Sequence, residues 1–119
     1  MCDAGFGMHF LSHWVRERKE FSLAEGIRRI TSHAADAFKI PKRGRLIEGG
    51  HSDMLLFDPK TVGMSRIKNV KDLPGGGSRM IREPSGVHGV WVNGVQVHDG
   101  RDYVHHDVGP GDVLSSFDK

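Results

Sequence analysis

Two histidines near the start of the chain have a spacing that can chelate a metal ion. His9 and His13 lie four residues apart, so on a helix both imidazoles would share one face and could bind zinc together. The intervening Phe10-Leu11-Ser12 lacks the Glu of the helical metalloprotease motif, and no third ligand is evident nearby. The pattern favours two histidines beside an apolar stripe. A small metal-binding domain that adds a distant acid is the alternative.

Three other features invite a chemical interpretation. His105-His106-Asp107 contains ligand types, but neighbouring residues on a strand point to opposite faces, which favours a solvated tail. Cys2 lies at the terminus, where we expect a non-catalytic thiol, because a nucleophile needs a nearby base and a depressed pKa. Gly75-Gly76-Gly77 is not followed by Lys-Ser/Thr, so it does not indicate a phosphate-binding loop.

The composition is that of a globular protein with room for one domain or for part of a larger one. Of the 119 residues, 37% are hydrophobic and 27% are charged. Every apolar run is shorter than the ~20 residues that span a bilayer, and the N-terminus lacks the features of a signal peptide. One cysteine permits no internal disulfide. We therefore expect a cytoplasmic protein with no membrane contact.

The charges are interleaved rather than clustered. Net charge is +2, and Arg16-Glu17-Arg18-Lys19-Glu20 alternates in sign, as expected of a solvated helix end. No basic stripe with interleaved aromatic residues is present. We therefore expect no nucleic-acid partner.

The first third of the chain has the pattern of helices. Apolar residues recur at three- and four-residue spacing and predict a helix over about residues 8–19: Met8, Leu11 and Val15, with Phe10 and Trp14 beside them. Ser22-Leu23-Ala24-Glu25 is a capping box, in which we expect Ser22 and Glu25 each to bond the other's backbone N–H. Thr31-Ser32 predicts the start of a short third helix, and Pro41 ends the region.

After Pro41 the pattern changes to strands and turns. Met54-Leu55-Leu56-Phe57 is a short apolar run that predicts a strand buried on both faces. Val90-Trp91-Val92 and Val95-Gln96-Val97 flank Asn93-Gly94, which predicts a hairpin with a type I′ turn. Tyr103-Val104 predicts a further short strand, whereas residues 60–86 are weakly patterned.

Several short motifs, taken in order, resemble one enzyme family. The central one is the run from Arg43 to Pro59, which contains Arg43-Gly44-Arg45, Gly49, Ser52-Asp53 and Phe57-Asp58. Three motifs precede it: Leu11–Glu17, Ile30-Thr31-Ser32 and Ala35–Phe38. Three follow it: Val92-Asn93-Gly94, Asp99-Gly100 and Pro110-Gly111. Together they resemble the C-terminal part of the D-aminoacylase (N-acyl-D-amino-acid deacylase) group of the amidohydrolase superfamily. Each piece is short, and the specificity lies in their order and spacing.

The resemblance implies a fold class and a domain division. Members of the group have a metal-bearing (β/α)₈ barrel, with zinc in the full-length enzyme, and a small β-sandwich built from both ends of the chain. We therefore expect an α+β chain: residues 1–41 as the last helices of the barrel, and residues 42–119 as β-strands of the sandwich. The barrel strands, the metal ligands and the catalytic aspartate would lie upstream.

The resemblance also implies what this chain lacks and what it retains. It predicts hydrolysis of the amide bond of N-acyl-D-amino acids by the complete enzyme, with no catalytic residue and no metal ligand within this chain, which would be inactive alone. Asp3 resembles a second aspartate that follows the catalytic one. Residues 1–9 would belong to the last barrel loop, so Asp3 and His9 are predicted to shape substrate access.

If the chain is only part of an enzyme, the expected partner is the missing part. A fragment would expose apolar faces meant for the barrel, including those of Leu11, Trp14, Ile27 and Ile30, and would bind the missing N-terminal part or self-associate. The rival hypothesis is a free-standing β-rich interaction module without catalysis, which would be a monomer with little exposed apolar surface.

Overall fold

The structure, a computed structural model that describes residues 5–115, has helices first and strands after them. The helices are α1 (Phe6–His9), a π-helix (Phe10–Glu17) that continues it directly, α2 (Leu23–Ile30) and α3 (Ser32–Ala37). The strands are β1 (Met54–Phe57), β2 (Gly63–Met64), β3 (Lys68–Val70), β4 (Arg79–Ile81), β5 (Pro84–Ser85), β6 (Val87–Val92) and β7 (Val95–His98). The predicted α+β class is confirmed. The predicted division at residue 41 stays a prediction.

The predicted first helix exists, with an unexpected geometry. Its second part is a π-helix, in which the Arg18 N–H donates to the His13 carbonyl five residues back at 2.9 Å. Lys19 ends it in a left-handed conformation, with φ of 55°. Leu11 and Val15 form its buried face, as their spacing indicates. None of the helices among the described residues is long and apolar enough to cross a bilayer.

The capping box of α2 is half formed. The Ser22 hydroxyl accepts from the Glu25 N–H at 3.2 Å, as predicted. The predicted return bond from the Glu25 carboxylate is wrong, because that carboxylate binds Arg28 and Arg29 at 2.8–3.0 Å. A charged guanidinium is a stronger donor than a neutral backbone N–H and lies on the same exposed face.

The third helix begins where predicted but is not capped by Thr31. The Thr31 hydroxyl instead donates back to the Ile27 carbonyl at 2.7 Å, as threonine does at the end of a helix. The two short helices are thus joined through Thr31 without an intervening loop.

The strands form three small antiparallel sheets, with the orders β1-β6-β7, β2-β5 and β3-β4. The hairpin prediction is confirmed: Val92 pairs with Val95, and Asn93 and Gly94 both have positive φ, at 49° and 81°. Tyr103 adds a single bridge to His98. Strands β2 to β5 were not predicted. They lie in the weakly patterned region, because strands of two or three residues are too short to produce an alternating pattern.

The prediction that β1 is buried on both faces is wrong for this chain. β1 lies at the edge of its sheet, paired with β6 alone, and within the described residues no strand covers its other edge. Leu55 and Leu56, whose side chains point to opposite faces of the sheet, are 39% and 54% exposed, so neither face of β1 is fully covered.

The core joins the helices to the strands. Leu11, Val15 and Val62 are its buried members, and the partly buried side chains around them come from both halves: Met8, Phe10, Phe21, Ile27, Ile30 and Phe57. Arg16 also donates to the Val62 carbonyl. The expectation that Leu11 is exposed is therefore wrong, because the loop around Val62 covers it. Trp14 is exposed, as expected, and Ile27 and Ile30 are half-buried.

Candidate functional site

His9 and His13 lie next to each other, as their spacing predicts. Their rings stack with centroids 5.1 Å apart and planes 14° from parallel. The His13 Nδ1 lies 3.0 Å from the Glu17 carboxylate, and this hydrogen bond is the main reason that the pKa of Glu17 is lowered. His9 is exposed at the end of α1, whereas Asp3 lies outside the described residues.

No metal centre assembles from the described part of the chain. Among residues 5–115 no three His, Cys, Asp or Glu side chains come close enough to hold one ion. Glu17, the acid nearest to the histidine pair, is bound to His13 instead. The His106 Nε2 lies 2.7 Å from the Gln96 carbonyl, while His105 and Asp107 are exposed. The described residues therefore do not fit a multi-ligand metal site, and Cys2 lies outside them.

The strongest polar constellation was not predicted. It surrounds the β6-β7 turn, and we call its members, His51, Asp53, Asn93, Asp112 and Arg43, the turn network. The Asn93 backbone N–H donates to Asp53 Oδ1 at 3.0 Å, and His51 Nδ1 lies 3.0 Å from Asn93 Oδ1. Asn93 Nδ2 donates to the Pro110 carbonyl at 2.8 Å and to Asp112 at 3.2 Å.

Arg43 completes the turn network from the other side. Its guanidinium bonds Asp53 and lies 3.6 Å from the Asp112 carboxylate, with only 14% of the arginine side chain exposed. Four separate segments of the chain therefore meet at one turn. Three of the pairs singled out in the sequence, Ser52-Asp53, Asn93-Gly94 and Pro110-Gly111, belong to this meeting point, although nothing in their spacing indicated that they touch.

Acid is expected to weaken the turn network. Burial alone raises the pKa of Asp53, but the hydrogen bond from the Asn93 N–H and the Arg43 guanidinium outweigh burial, so the pKa lies below its usual 3.8. Because the folded-state pKa is depressed, this stabilisation is present above the unfolded-state pKa and is lost as the pH falls through the folded-state value. We expect Asp53→Asn to remove a pH-dependent contribution of roughly 0.2–1 kcal/mol.

The measurement is the urea midpoint of both proteins at about pH 7 and about pH 3, on either side of the carboxyl titration. The matched control is Asp107→Asn, at an exposed tail position, which should follow the native chain at both pH values. An equal fall in midpoint for native chain and Asp53→Asn would contradict the prediction.

An apolar groove of about 580 Å³ opens between the helices and the edge strand. Ile27, Ile30 and Ala34 line it from the helical side, and Leu55 and Phe57 line it from β1. Arg43 and Asp53 of the turn network also contribute to its wall. The groove holds few polar groups that could orient a reacting bond, so it has the character of a packing surface rather than of a catalytic pocket.

Comparison with known proteins gives consistent results. The model of the amidohydrolase family matches residues 2–98. The N-acyl-D-aspartate deacylase of Alcaligenes xylosoxydans xylosoxydans is 41% identical over 86 residues, which are 72% of this chain and 16% of that protein. The chain thus spans about a sixth of this relative's length.

Solved structures of D-aminoacylase have the same local fold. The crystal structure that defined a novel subset of amidohydrolases superposes with a TM-score of 0.65 and 25% identity, over 86% of this chain and 20% of that one. Two further D-aminoacylase structures match equally well. One is a variant in complex with copper, and the other concerns the enzyme's binuclear metal centre.

Proposed function

This chain belongs to the amidohydrolase family, and from that premise we propose that it forms the C-terminal portion of an enzyme that hydrolyses the amide bond of N-acyl-D-amino acids. The observation that carries the proposal is the 41% identity to an N-acyl-D-aspartate deacylase. Superposition on D-aminoacylase over 86% of the chain supports it independently. N-acyl-D-aspartate is accordingly the first substrate to test.

The chain's own part in this function is structural. Leu11 and Val15 of its helices pack on Val62, in the loop between β1 and β2, so the wall of the barrel and the small β domain would be held in a fixed relation. The metal chemistry, with zinc as the proposed ion, would come from the rest of the enzyme, since the described residues hold no group of ligands. By itself the chain is proposed to be inactive. Its single cysteine is in keeping with a reducing, cytoplasmic setting.

The start of the chain, which the resemblance assigns to the last barrel loop and in which Phe6–His9 is already helical, is the proposed point of contact with substrate. In barrel enzymes the loops that follow the strands form the mouth of the active site. His9 is exposed at the end of α1, and with Asp3 it is proposed to shape substrate access. Neither residue is assigned a role in the chemical step.

The proposed partner is the remainder of the enzyme. The apolar groove, the uncovered edge of β1 and the exposed Trp14 are surfaces that water would contact in the chain alone. Their burial by the barrel and by a further strand would stabilise the complex, since apolar area removed from water contributes about 25 cal/mol per Å². Without this partner we expect self-association through the same surfaces. The exposed apolar surface also argues against the alternative of a free-standing interaction module, for which little such surface was expected.

A chimera tests the proposal. The matching 86-residue segment of the Alcaligenes deacylase is replaced by the corresponding residues of this chain, and hydrolysis of N-acetyl-D-aspartate is compared with that of the L-enantiomer. We expect D-specific activity from the chimera and none from this chain alone. A folded chimera no more active than the same enzyme with the segment deleted would overturn the proposal.

The same chimera tests the proposed role of His9. His9→Ala is expected to raise KM several-fold with little change in kcat, because lost substrate contact without lost transition-state stabilisation appears in KM. His33→Ala, an exposed histidine of α3, is the matched control and should leave both constants unchanged.

A further inference from the structure

The Asn93-Gly94 turn carries a chemical liability that the family relationship does not address. Asparagine is a thermolabile residue, and it deamidates most readily before glycine, where no side chain hinders attack by the next backbone nitrogen. That nitrogen attacks the asparagine Cγ and forms a cyclic imide, which water opens to aspartate or isoaspartate. Asn93 and Asn69 are the two asparagines of the chain, and only Asn93 precedes glycine.

The fold holds both reacting nitrogens of this turn in hydrogen bonds. The Gly94 N–H, whose nitrogen would be the nucleophile, donates to the Ser52 carbonyl at 2.9 Å. Asn93 Nδ2, which would be the leaving group, donates to the Pro110 carbonyl at 2.8 Å and to Asp112 at 3.2 Å. The attack requires rotation of the Asn93 side chain and loss of these bonds, so the folded turn is protected.

The protection depends on a segment that lies far from the turn in sequence. Both acceptors of Asn93 Nδ2 belong to Pro110–Asp112, and Asp112 is held beside Arg43 at 3.6 Å. Residues 111–115 are exposed, and exposed tails of this kind separate from a fold more easily than its core does. Separation of Pro110–Asp112 would free Nδ2 while leaving the hairpin itself paired. The attack would then be opposed by the Gly94 N–H bond to the Ser52 carbonyl and by the contact of Asn93 Oδ1 with His51.

We propose that Asn93 is a site of spontaneous deamidation that docking of Pro110–Asp112 suppresses. In the reaction the bond from Gly94 N to Asn93 Cγ forms and the Cγ–Nδ2 bond breaks. Nδ2 leaves as ammonia with the proton of the Gly94 N–H, and water then hydrolyses the imide. No electrons are exchanged and no reactant other than water is needed.

The product cannot rebuild the same contacts. A carboxylate at position 93 replaces the Nδ2 donor by an acceptor and lies beside the carboxylates of Asp53 and Asp112, which repel it. An isoaspartate would also lengthen the backbone by one methylene, which a two-residue turn between paired strands does not accommodate. Release of the segment therefore becomes irreversible once Asn93 has reacted.

The test is ageing of the full-length chain in mildly alkaline buffer, followed by proteolysis and mass spectrometry of the peptides that contain residues 93 and 69. Asn69 is the internal reference, since the β-branched Val70 hinders attack. We expect slow conversion at residue 93 in the folded chain and fast conversion in urea. Asp112→Ala should accelerate the folded-state reaction on the order of tenfold, the effect of losing one charge-assisted hydrogen bond on the open population.

Asp107→Ala removes the same charge from an exposed position of the same tail and should age at the native rate. The urea midpoint of Asp112→Ala shows whether the variant is still folded. Equal rates for Asp112→Ala and the native chain would overturn the proposal, and so would equal rates in buffer and in urea. Asn93→Asp provides a second test: limited proteolysis within residues 109–115 should accelerate, and an unchanged cleavage rate would also overturn it.

Discussion

Leu11→Ala is expected to destabilise the chain by about 2–5 kcal/mol, the range for deleting a buried leucine side chain when its surroundings collapse only partly. Leu11 is 2% exposed and packs with Val15 and Val62, which is 1% exposed. The alanine would leave a cavity where the helices meet the strands, and few other side chains are buried deeply enough to compensate. Against a total stability of about 5–15 kcal/mol for an ordinary domain, the loss would be large.

The measurement is the free energy of unfolding from urea denaturation, followed by circular dichroism. Leu46→Ala is the matched control, because it deletes the same atoms from a side chain that is 74% exposed. We expect it to change stability by less than about 0.5 kcal/mol. If the two variants were equally stable, the helices would not be anchored on the strands through Leu11.

Gly86→Ala is expected to cost about 2–5 kcal/mol for two independent reasons. Gly86 has φ of +65°, and an L-residue in this left-handed region is disfavoured by roughly 1–2 kcal/mol. A Cβ would also lie 2.5 Å from the backbone nitrogen of Val62, and overpacking of this kind adds about 1–3 kcal/mol. Backbone cannot rotate away as a side chain can, so the clash would displace Val62 from the core.

Gly75→Ala separates the two contributions. Gly75 has nearly the same backbone conformation, with φ of +72°, but nothing lies within 4 Å of the position that an alanine Cβ would take there. It should therefore show the conformational cost alone, about 1–2 kcal/mol. Equal urea midpoints for the two alanine variants would mean that the loop at Val62 moves aside without cost.

Leu11→Ala and Gly86→Ala both test how the loop at Val62 packs. Residues 61 and 62 lie outside the helices and strands, yet this loop covers Leu11 on one side and closes on Gly86 on the other. It joins the helical part to the sheets. In a complete enzyme the same contact would fix the small β domain against the barrel wall, which is the role proposed for this chain.

Local signals predicted the Ser22 cap and the β6-β7 turn correctly. The cap of α2 needs only Ser22 and Glu25, and the β6-β7 turn needs only Asn93 and Gly94, so a few adjacent residues contain the whole cause. The family was likewise recognisable from short motifs in order, and the match over residues 2–98 confirms it. The stacking of His9 on His13 follows from their helical spacing.

Sequence by itself therefore determined that helices precede strands, the principal turn and the family. Tertiary structure alone decided that Leu11 is buried and Leu55 exposed, that four short strands pair within residues 60–86, and that Arg43, Asp53, Asn93 and Asp112 meet. The physical reason is that burial and long-range pairing depend on which distant segment covers a residue. Burying any leucine side chain lowers the free energy of the folded state, but only the packing of distant segments determines which leucine is buried.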